Sequence, residues 1–317
     1  ISPPCNYYRI PSRIASLQEP YKFGLTFMKV PGRGLVVVGV LMYRPSWAPD
    51  RYYGAIVDAN GNCRFDDEPW QGSWHSYYTS RIVAPDYNRN GYPDVSLGVL
   101  GGFFFDWWWN FGYPAEIFPG WDPQGRWLSI FYDYHGHGTA CASAIAGRGI
   151  VAYNVSGFGT VRLYGIARGA KIVGVKALWW GNVEAGMLWA AGFDIDPSTG
   201  SWKWTGQKRA HVISNSWGIS EFIYDVAGFG FDLESVFVEG LSTPGFLDPS
   251  YPGIVIVQAG GNGGHGYGTI TSPGAALSAL TVGASTSTHF AYVLSHMDGQ
   301  IWSSAGGWRA DEIISWS

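Results

Sequence analysis

The pattern of apolar and polar positions changes near residue 128. Before it, only GLVVVGVLMY (34–43) and YYGAIVD (52–58) have the run of apolar residues typical of a strand, and seven prolines interrupt the first 50 residues. Beyond it, short β-branched runs alternate with small-residue segments that favour helix, a pattern typical of buried parallel strands wrapped by helices. We therefore predict an α/β fold with a loop-rich region at 1–127 and a core at 128–317. The predicted strands of the core lie in AKIVGVKAL (170–178), AHVISNSWG (210–218), GIVIVQAGGN (253–262) and ALTVGAST (279–286).

Composition narrows the class of protein. The chain has 317 residues, a net charge of -4 and only 14% charged residues, so it has no basic field that would attract nucleic acid. It also lacks an apolar run long enough to span a bilayer. The three cysteines, Cys5, Cys63 and Cys141, lie far apart and form no C-x-x-C pair, so neither a zinc site nor a disulfide framework is predicted.

A histidine opens the small-residue segment HGHGTACASAIAG, at 135–147. The run of alanines predicts a helix from about Gly138 that packs closely on its neighbours. In the first turn, His137 would face the positive end of the helix dipole, which favours the neutral ring that a general base needs. Taken alone, the motif favours a histidine that is merely hydrogen-bonded at a helix start.

Four segments, in the same order over residues 131–286, resemble the motifs of subtilisin-like serine proteases. DYHGHGTACASAIAG resembles D-x-x-G-H-G-T-H-V-A-G, with Ala140 in place of the second histidine, and YGIARGAKIVGVKAL resembles G-V-A-P-x-A-x-L-x-x-V-K-V-L, with Arg168 in place of proline. AHVISNSWG resembles D-V-I-N-M-S-L-G, and VIVQAGGNGG with the later SPGAA and TVGA resembles the A-G-N-x-G, Y-P-A and V-G-A segments. Four motifs in order are far more specific than one.

The resemblance implies a three-layer subtilisin-like domain with a mainly parallel central sheet. It also implies a serine endopeptidase that hydrolyses peptides or proteins through an acyl-enzyme, outside the cell or at its surface. His137 would be the base, Asn262 would donate its amide to the oxyanion, and the edge formed by Ser216, Trp217 and Gly218 would pair with an extended peptide. A non-catalytic subtilase-like binding or structural protein is the alternative.

The resemblance leaves two members of the triad to be found. The family's G-T-S-M-A-x-P motif is absent, and the closing DEIISWS resembles the strand upstream of it, so the serine is expected beyond Ser317 and the chain alone is expected to be inactive. For the acid, YYGAIVDANGN loosely resembles V-A-V-I-D-T-G, which makes Asp58 a candidate. The same stretch also resembles V-Y-V-D-x-N-x-D-x-D-F-x-D-E-x-P, an insertion of certain large subtilases, and the catalytic Asp would then precede Ile1.

Two oxygen-rich loops are candidates for structural calcium. In DYNRNGYPD, oxygen side chains alternate as in the first half of an EF-hand loop, with Gly91 at the sixth place; the ligands would be Asp86, Asn88, Asn90 and Asp94. The twelfth position is Leu97, so the bidentate carboxylate is missing and a plain polar turn is the alternative. The second loop offers Asp58, Asn60, Asn62 and Asp66, and an Asp58 that bound metal could not also orient His137. A calcium-dependent scaffold domain is therefore a further alternative.

Overall fold

The structure is a computed structural model. The chain forms two compact units, residues 1–182 and 183–317. The predicted boundary at residue 127 rests on composition alone and stays a prediction. The structure describes residues 7–10, 12, 22–30, 34–43, 54–69, 71–72, 97–100, 129–132, 136–155, 159–175, 177, 182–196, 199–219, 230–262 and 268–284.

The first unit contains an antiparallel sheet of four strands in the order β1-β2-β3-β4. The first two strands form a hairpin in which Val30 pairs with Gly34, whose φ of 77° suits glycine at the turn. Behind the sheet, Leu41, Ile56 and Phe65 form a small core. The strands are β1 (Lys22–Val30), β2 (Gly34–Tyr43), β3 (Gly54–Val57) and β4 (Gln71–Gly72).

Among the described residues, the first unit also contains one longer helix and two antiparallel strand pairs. The end of the helix is held by the chain that follows β8, because the N–H of Ile166 and of Ala167 donate to the carbonyls of Ala144 (3.2 Å) and Ile145 (2.7 Å). These elements are β5 (Leu97–Leu100) paired with β6 (Ser129–Tyr132), α1 (His137–Ala146), and β7 (Arg148–Val155) paired with β8 (Gly159–Tyr164).

The second unit contains a parallel sheet of three strands, β11 (Val212–Asn215), β12 (Val255–Ala259) and β13 (Leu280–Val282), in that order. Val212 pairs with Val255, and Asn215 pairs with Gln258. Side chains alternate along the strands, so one face is buried and the other exposed.

The described part of the second unit also contains two helices and a hairpin: α2 (Asn182–Ala191), α3 (Leu233–Ser242), and β9 (Phe193–Asp196) paired with β10 (Ser201–Trp204). They share one core with the buried face of the parallel sheet. At its centre the rings of Phe193, Trp204 and Tyr251 pack edge to face or tilted, with centroids 4.9–5.6 Å apart.

The predicted α/β class and most predicted strands are confirmed. Strands occur at 34–43, 54–57, 212–215, 255–259 and 280–282, each inside a predicted run. The predicted strand at 170–178 is wrong for residues 170–175, which form no strand and are exposed. The strands in the described ranges form five small sheets, of which one, the three-stranded sheet β11-β12-β13 of the second unit, is parallel. None of the helices in those ranges is long and apolar enough to cross a membrane.

Candidate active site

The histidine of the motif is the first residue of α1. The helix begins after Gly136, whose φ of 86° is in the left-handed region that glycine adopts readily, so the chain turns sharply into the helix. His137 is exposed, and its Nδ1 lies 3.8 Å from Sγ of Cys141, one turn later. The ring therefore stands at the solvent-facing start of a helix.

The close packing expected of this alanine-rich helix is wrong for its body. None of its residues is buried. Close approach occurs only at its end, where a Cβ placed on Gly165 would lie 2.5 Å from the backbone nitrogen of Gly147. Small residues are thus required at that junction, whereas Ala140 and Ala144 are exposed.

The oxyanion candidate follows β12 directly. Two backbone hydrogen bonds fix the turn before it: Gly260 N–H donates to Val282 C=O (2.9 Å), and Thr271 N–H donates to Gly260 C=O (3.0 Å). Gly261 has a φ of 103°, and a Cβ there would lie 2.6 Å from Thr271 Oγ1. Only glycine fits this position, and the turn carries Asn262 to an exposed place after the strand.

The predicted substrate edge follows β11 in the same way. The Ile219 N–H donates to the Ser272 carbonyl at 2.8 Å, and the Gln258 side-chain amide donates to the Trp217 carbonyl. In the described part of the chain, no hydrogen bond is made by the N–H or C=O of Gly218. The backbone of this glycine is thus available to pair with another extended segment.

Thr271 joins the oxyanion turn to the substrate edge. A Cβ on Gly218 would lie 2.5 Å from Thr271 Oγ1, nearly the same distance as from Gly261. The hydroxyl thus lies between the two glycine backbones, and the edge ending at Gly218 is a direct neighbour of the turn that carries Asn262. Two of the sequence-predicted site segments are brought together in this way.

Asp58 closes the turn that follows β3. It is fully buried, and its carboxylate accepts the N–H of Asn62 and of Cys63, each at 3.0 Å. Burial raises the pKa of Asp58, while the N–H groups of the loop oppose the rise. The two hydrogen bonds that its carboxylate accepts from Asn62 and Cys63 close the loop, as expected of a residue that anchors a turn.

The oxygen-rich loop after Asp58 is closed by its own hydrogen bonds. The amide of Asn62 donates to Asp67 at 2.6 Å, and Asp66 is paired with Arg64 at 2.9 Å. Burial also raises the pKa of Glu68 to about 7. Within the described residues, no group of three histidine, cysteine or acidic side chains could hold a metal ion. The other predicted loop, with Asp86, Asn88, Asn90 and Asp94, lies outside the described residues and stays a prediction.

Sequence reasoning missed several residues of these surroundings. Gln258 and Thr271 became visible only through tertiary contacts, although a glutamine inside an apolar strand is itself an unusual feature. The sequence analysis predicted no disulfide framework, and the structure differs, because Cys63 is disulfide-bonded. Its partner lies outside the described residues. Cys141 is a free, half-buried thiol.

Comparison with known proteins agrees with the motifs. The model of the subtilase family matches residues 117–315, and the chain therefore belongs to this family, whose members are serine peptidases. Pyrolysin from Pyrococcus furiosus is 30% identical to the chain in an alignment of 258 residues that covers 73% of this chain and 15% of pyrolysin. The chain thus spans about 15% of the length of the curated relative that it matches. No solved structure matches it significantly.

Proposed function

We propose that this chain is part of the catalytic domain of a subtilisin-like serine endopeptidase. The observation that carries the proposal is the contact between the turn leading to Asn262 and the edge ending at Gly218, both held against Thr271. An oxyanion donor must stand beside the strand that holds the scissile peptide, because the developing charge arises on the substrate's own backbone. Membership of the subtilase family supports the same reaction.

The substrate edge is suited to an extended peptide. The Trp217 carbonyl and the Ile219 N–H are bonded inside the unit, and among the described residues no hydrogen bond is made by the N–H or C=O of Gly218 between them. Extended peptides bind such edges through main-chain hydrogen bonds, which depend little on sequence. We therefore propose peptides or proteins as substrates.

In the proposed reaction, His137 takes the proton of a serine hydroxyl as the oxygen attacks the peptide carbonyl. The side-chain amide of Asn262 donates to the oxyanion of the tetrahedral intermediate, and His137 then gives its proton to the leaving amine. Water, activated by the same histidine, hydrolyses the acyl-enzyme. The serine, and an acid that orients the histidine, complete the site. We propose that the serine lies beyond residue 317 and that the domain is three-layered with a mainly parallel sheet.

Asp58 has two proposed roles that exclude each other. As the acid of the triad it would have to contact His137; as a loop anchor it uses its oxygens on Asn62 and Cys63. The hydrogen bonds within the loop favour the anchor, and the triad acid would then come from sequence before Ile1.

The decisive experiment compares the 317-residue chain with the protein extended through its reading frame. We expect hydrolysis of a peptide p-nitroanilide by the extended protein alone, with loss of activity on treatment with a serine-directed inhibitor. In that protein Asn262→Ala should lower kcat by about 100- to 1000-fold. The matched control is Asn154→Ala, an exposed asparagine on β7. An extended protein that folds, binds peptide and hydrolyses nothing would instead be a non-catalytic subtilase-like binding protein.

We also propose a structural calcium ion and an extracellular or cell-surface location. The calcium proposal rests on the spacing of Asp86, Asn88, Asn90 and Asp94, and calorimetric titration of the apo-protein tests it. The location is supported by the disulfide of Cys63, because disulfides form mainly in oxidising compartments. Loss of heat on titration in an Asp86→Ala, Asp94→Ala double variant would assign the calcium to this loop.

A further inference from the structure

A buried glutamine lies on β12, the central strand of the parallel sheet. Gln258 is on β12 with 1% of its surface exposed, opposite Asn215 of β11. Its neighbours in the sequence of β12 are valine, isoleucine and alanine. A buried amide lowers stability unless it is hydrogen-bonded, so its presence at this position calls for a partner.

That partner is the predicted substrate edge. The Nε2 of Gln258 donates to the carbonyl of Trp217, 41 residues away in sequence. Among the described residues Gln258 Oε1 has no hydrogen-bond partner. The side chain therefore makes one hydrogen bond but leaves its own oxygen buried without a donor. The desolvation cost of that oxygen is at least as large as the gain from the hydrogen bond, so stability alone does not explain the glutamine.

The direction of this hydrogen bond matters for the edge. In extended backbone, the N–H and C=O of one residue point to the same side of the strand, and those of the next residue point to the opposite side. Trp217 C=O and Ile219 N–H both point inward, to Gln258 and to the Ser272 carbonyl. The N–H and C=O of Gly218 are then turned outward, where a peptide could pair with them.

We propose that Gln258 is a positioning residue that fixes the Trp217 carbonyl and so presents Gly218 to the peptide substrate. This inference rests on the proposed function, because it assigns a role in peptide binding. Gln258 does not touch the reacting atoms. Its loss should therefore weaken the binding of extended peptides and leave the chemical step nearly unchanged.

The first test needs no catalytic activity. In Gln258→Met, a replacement of similar length without the amide, the Trp217 carbonyl loses its donor. Hydrogen exchange of the Ile219 amide should become about 10-fold faster in the 317-residue chain, because the edge opens more often. The Ile254 amide, which donates to Leu241 C=O at 3.1 Å, reports on the rest of the unit and should not change.

The second test separates binding from chemistry in the extended protein. For a tetrapeptide p-nitroanilide we expect KM to rise about 3- to 10-fold in Gln258→Met, the range expected for one lost hydrogen bond, with kcat within about twofold of wild type. A single-residue ester, which does not pair along the edge, should show no change. The matched control is Gln207→Met, at an exposed glutamine of the same unit.

The outcomes of the two tests separate the positioning role of Gln258 from the proposed function. Equal exchange of the Ile219 amide in the variant and the wild type overturns the positioning role, as does an equal loss of rate on the peptide and the ester. If the wild-type extended protein hydrolyses neither substrate, the proposed function fails, while the exchange experiment still decides whether Gln258 holds the edge. Should Gln258→Met not fold, Gln258→Asn keeps the amide but is one methylene too short to reach Trp217, and the same readouts apply.

Discussion

A buried glutamate and a half-buried one predict an alkaline loss of stability in the second unit. Glu234, in the first turn of α3, is 7% exposed, and its carboxyl faces that of Glu184 on α2. One oxygen of each, Oε2, is buried without a hydrogen-bond partner among the described residues. Two carboxylates cannot both be charged in such a place, so we expect the pair to share a proton.

The sign of the effect follows from the pKa of Glu234. Burial, the hydrogen bond to Glu184 and the charges of Glu184 and Asp232 raise this pKa from 4.5 to about 8, although a helix N-terminus by itself favours a carboxylate. Between these two values the folded protein holds a proton that the unfolded chain has lost. Folding stability therefore falls as pH rises through this window, by up to about 1.4 kcal/mol per pH unit. Allowing for relaxation and water penetration, we expect about 2 kcal/mol between pH 6 and 8.

Glu234→Gln should remove this pH dependence, because glutamine is isosteric with the protonated acid and can donate to Glu184. The measurement is urea unfolding of the 317-residue chain at pH 5, 6, 7 and 8, followed by circular dichroism. We expect similar stability of variant and wild type at pH 5 and a variant that is about 3 kcal/mol more stable at pH 8.

Two further variants make the test specific. Glu184→Gln should flatten the same curve, and the double variant should add nothing more, because both act on one shared proton. Asp248→Asn is the control: the Ser250 hydroxyl holds the pKa of the exposed Asp248 below its usual range, so its effect belongs to acid pH. A Glu234→Gln curve that is parallel to the wild-type curve from pH 5 to 8 would refute the shared proton.

Further predictions concern the core, a helix cap and the two candidate site residues of the first unit. Leu241→Ala should cost about 2–5 kcal/mol in urea unfolding, because Leu241 is fully buried in the core of the second unit; Leu247→Ala, at a 40% exposed position, should cost far less. Asp232→Ala removes the carboxylate that accepts the Ser235 N–H at 3.0 Å and should cost about 1 kcal/mol. In the extended protein, Asp58→Asn should lower the melting temperature and leave kcat intact, whereas a fall in kcat of about 10⁴ would assign Asp58 to the triad. His137→Ala should abolish hydrolysis without lowering the melting temperature, since the side chain is exposed.

The strands that sequence predicted well share one physical feature. The continuous β-branched runs at 34–43 and 255–259 bury one or both of their faces. Such burial requires apolar residues at neighbouring positions, so a short stretch of sequence is enough to predict the strand. Residues 170–175 have a similar composition but lie exposed and outside any strand, because composition does not supply a hydrogen-bonding neighbour. Conversely, the alternation in β1 (Lys22–Val30) was obscured by the prolines on either side, and only its pairing with β2 reveals it.

The residues of the candidate site also differ in whether a local sequence pattern predicts them. His137 and Asn262 were predicted because each lies in a motif of glycines and small residues that is read within a few positions. Gln258 and the Glu184–Glu234 pair depend on contacts between segments about 40–50 residues apart, and no local pattern specifies them. Sequence thus predicted the groups proposed to do chemistry, whereas the residues that hold or tune them required the folded chain.

The parallel pairing of β11 and β12 explains why the proposed substrate edge and the oxyanion turn are neighbours. Because parallel strands end at the same edge of a sheet, the register that places Asn215 opposite Gln258 also places the segments that follow them side by side. Asn215 and Gln258 are both buried amides: one donates to Met187 Sδ at 3.2 Å, and the other to Trp217 C=O. Apolar residues at these two positions would stabilise the sheet more. Buried polar residues that lower stability beside a proposed site are expected where function requires them. The polar end of this small sheet, rather than any single motif, is therefore what sets the geometry that the proposed peptidase would use.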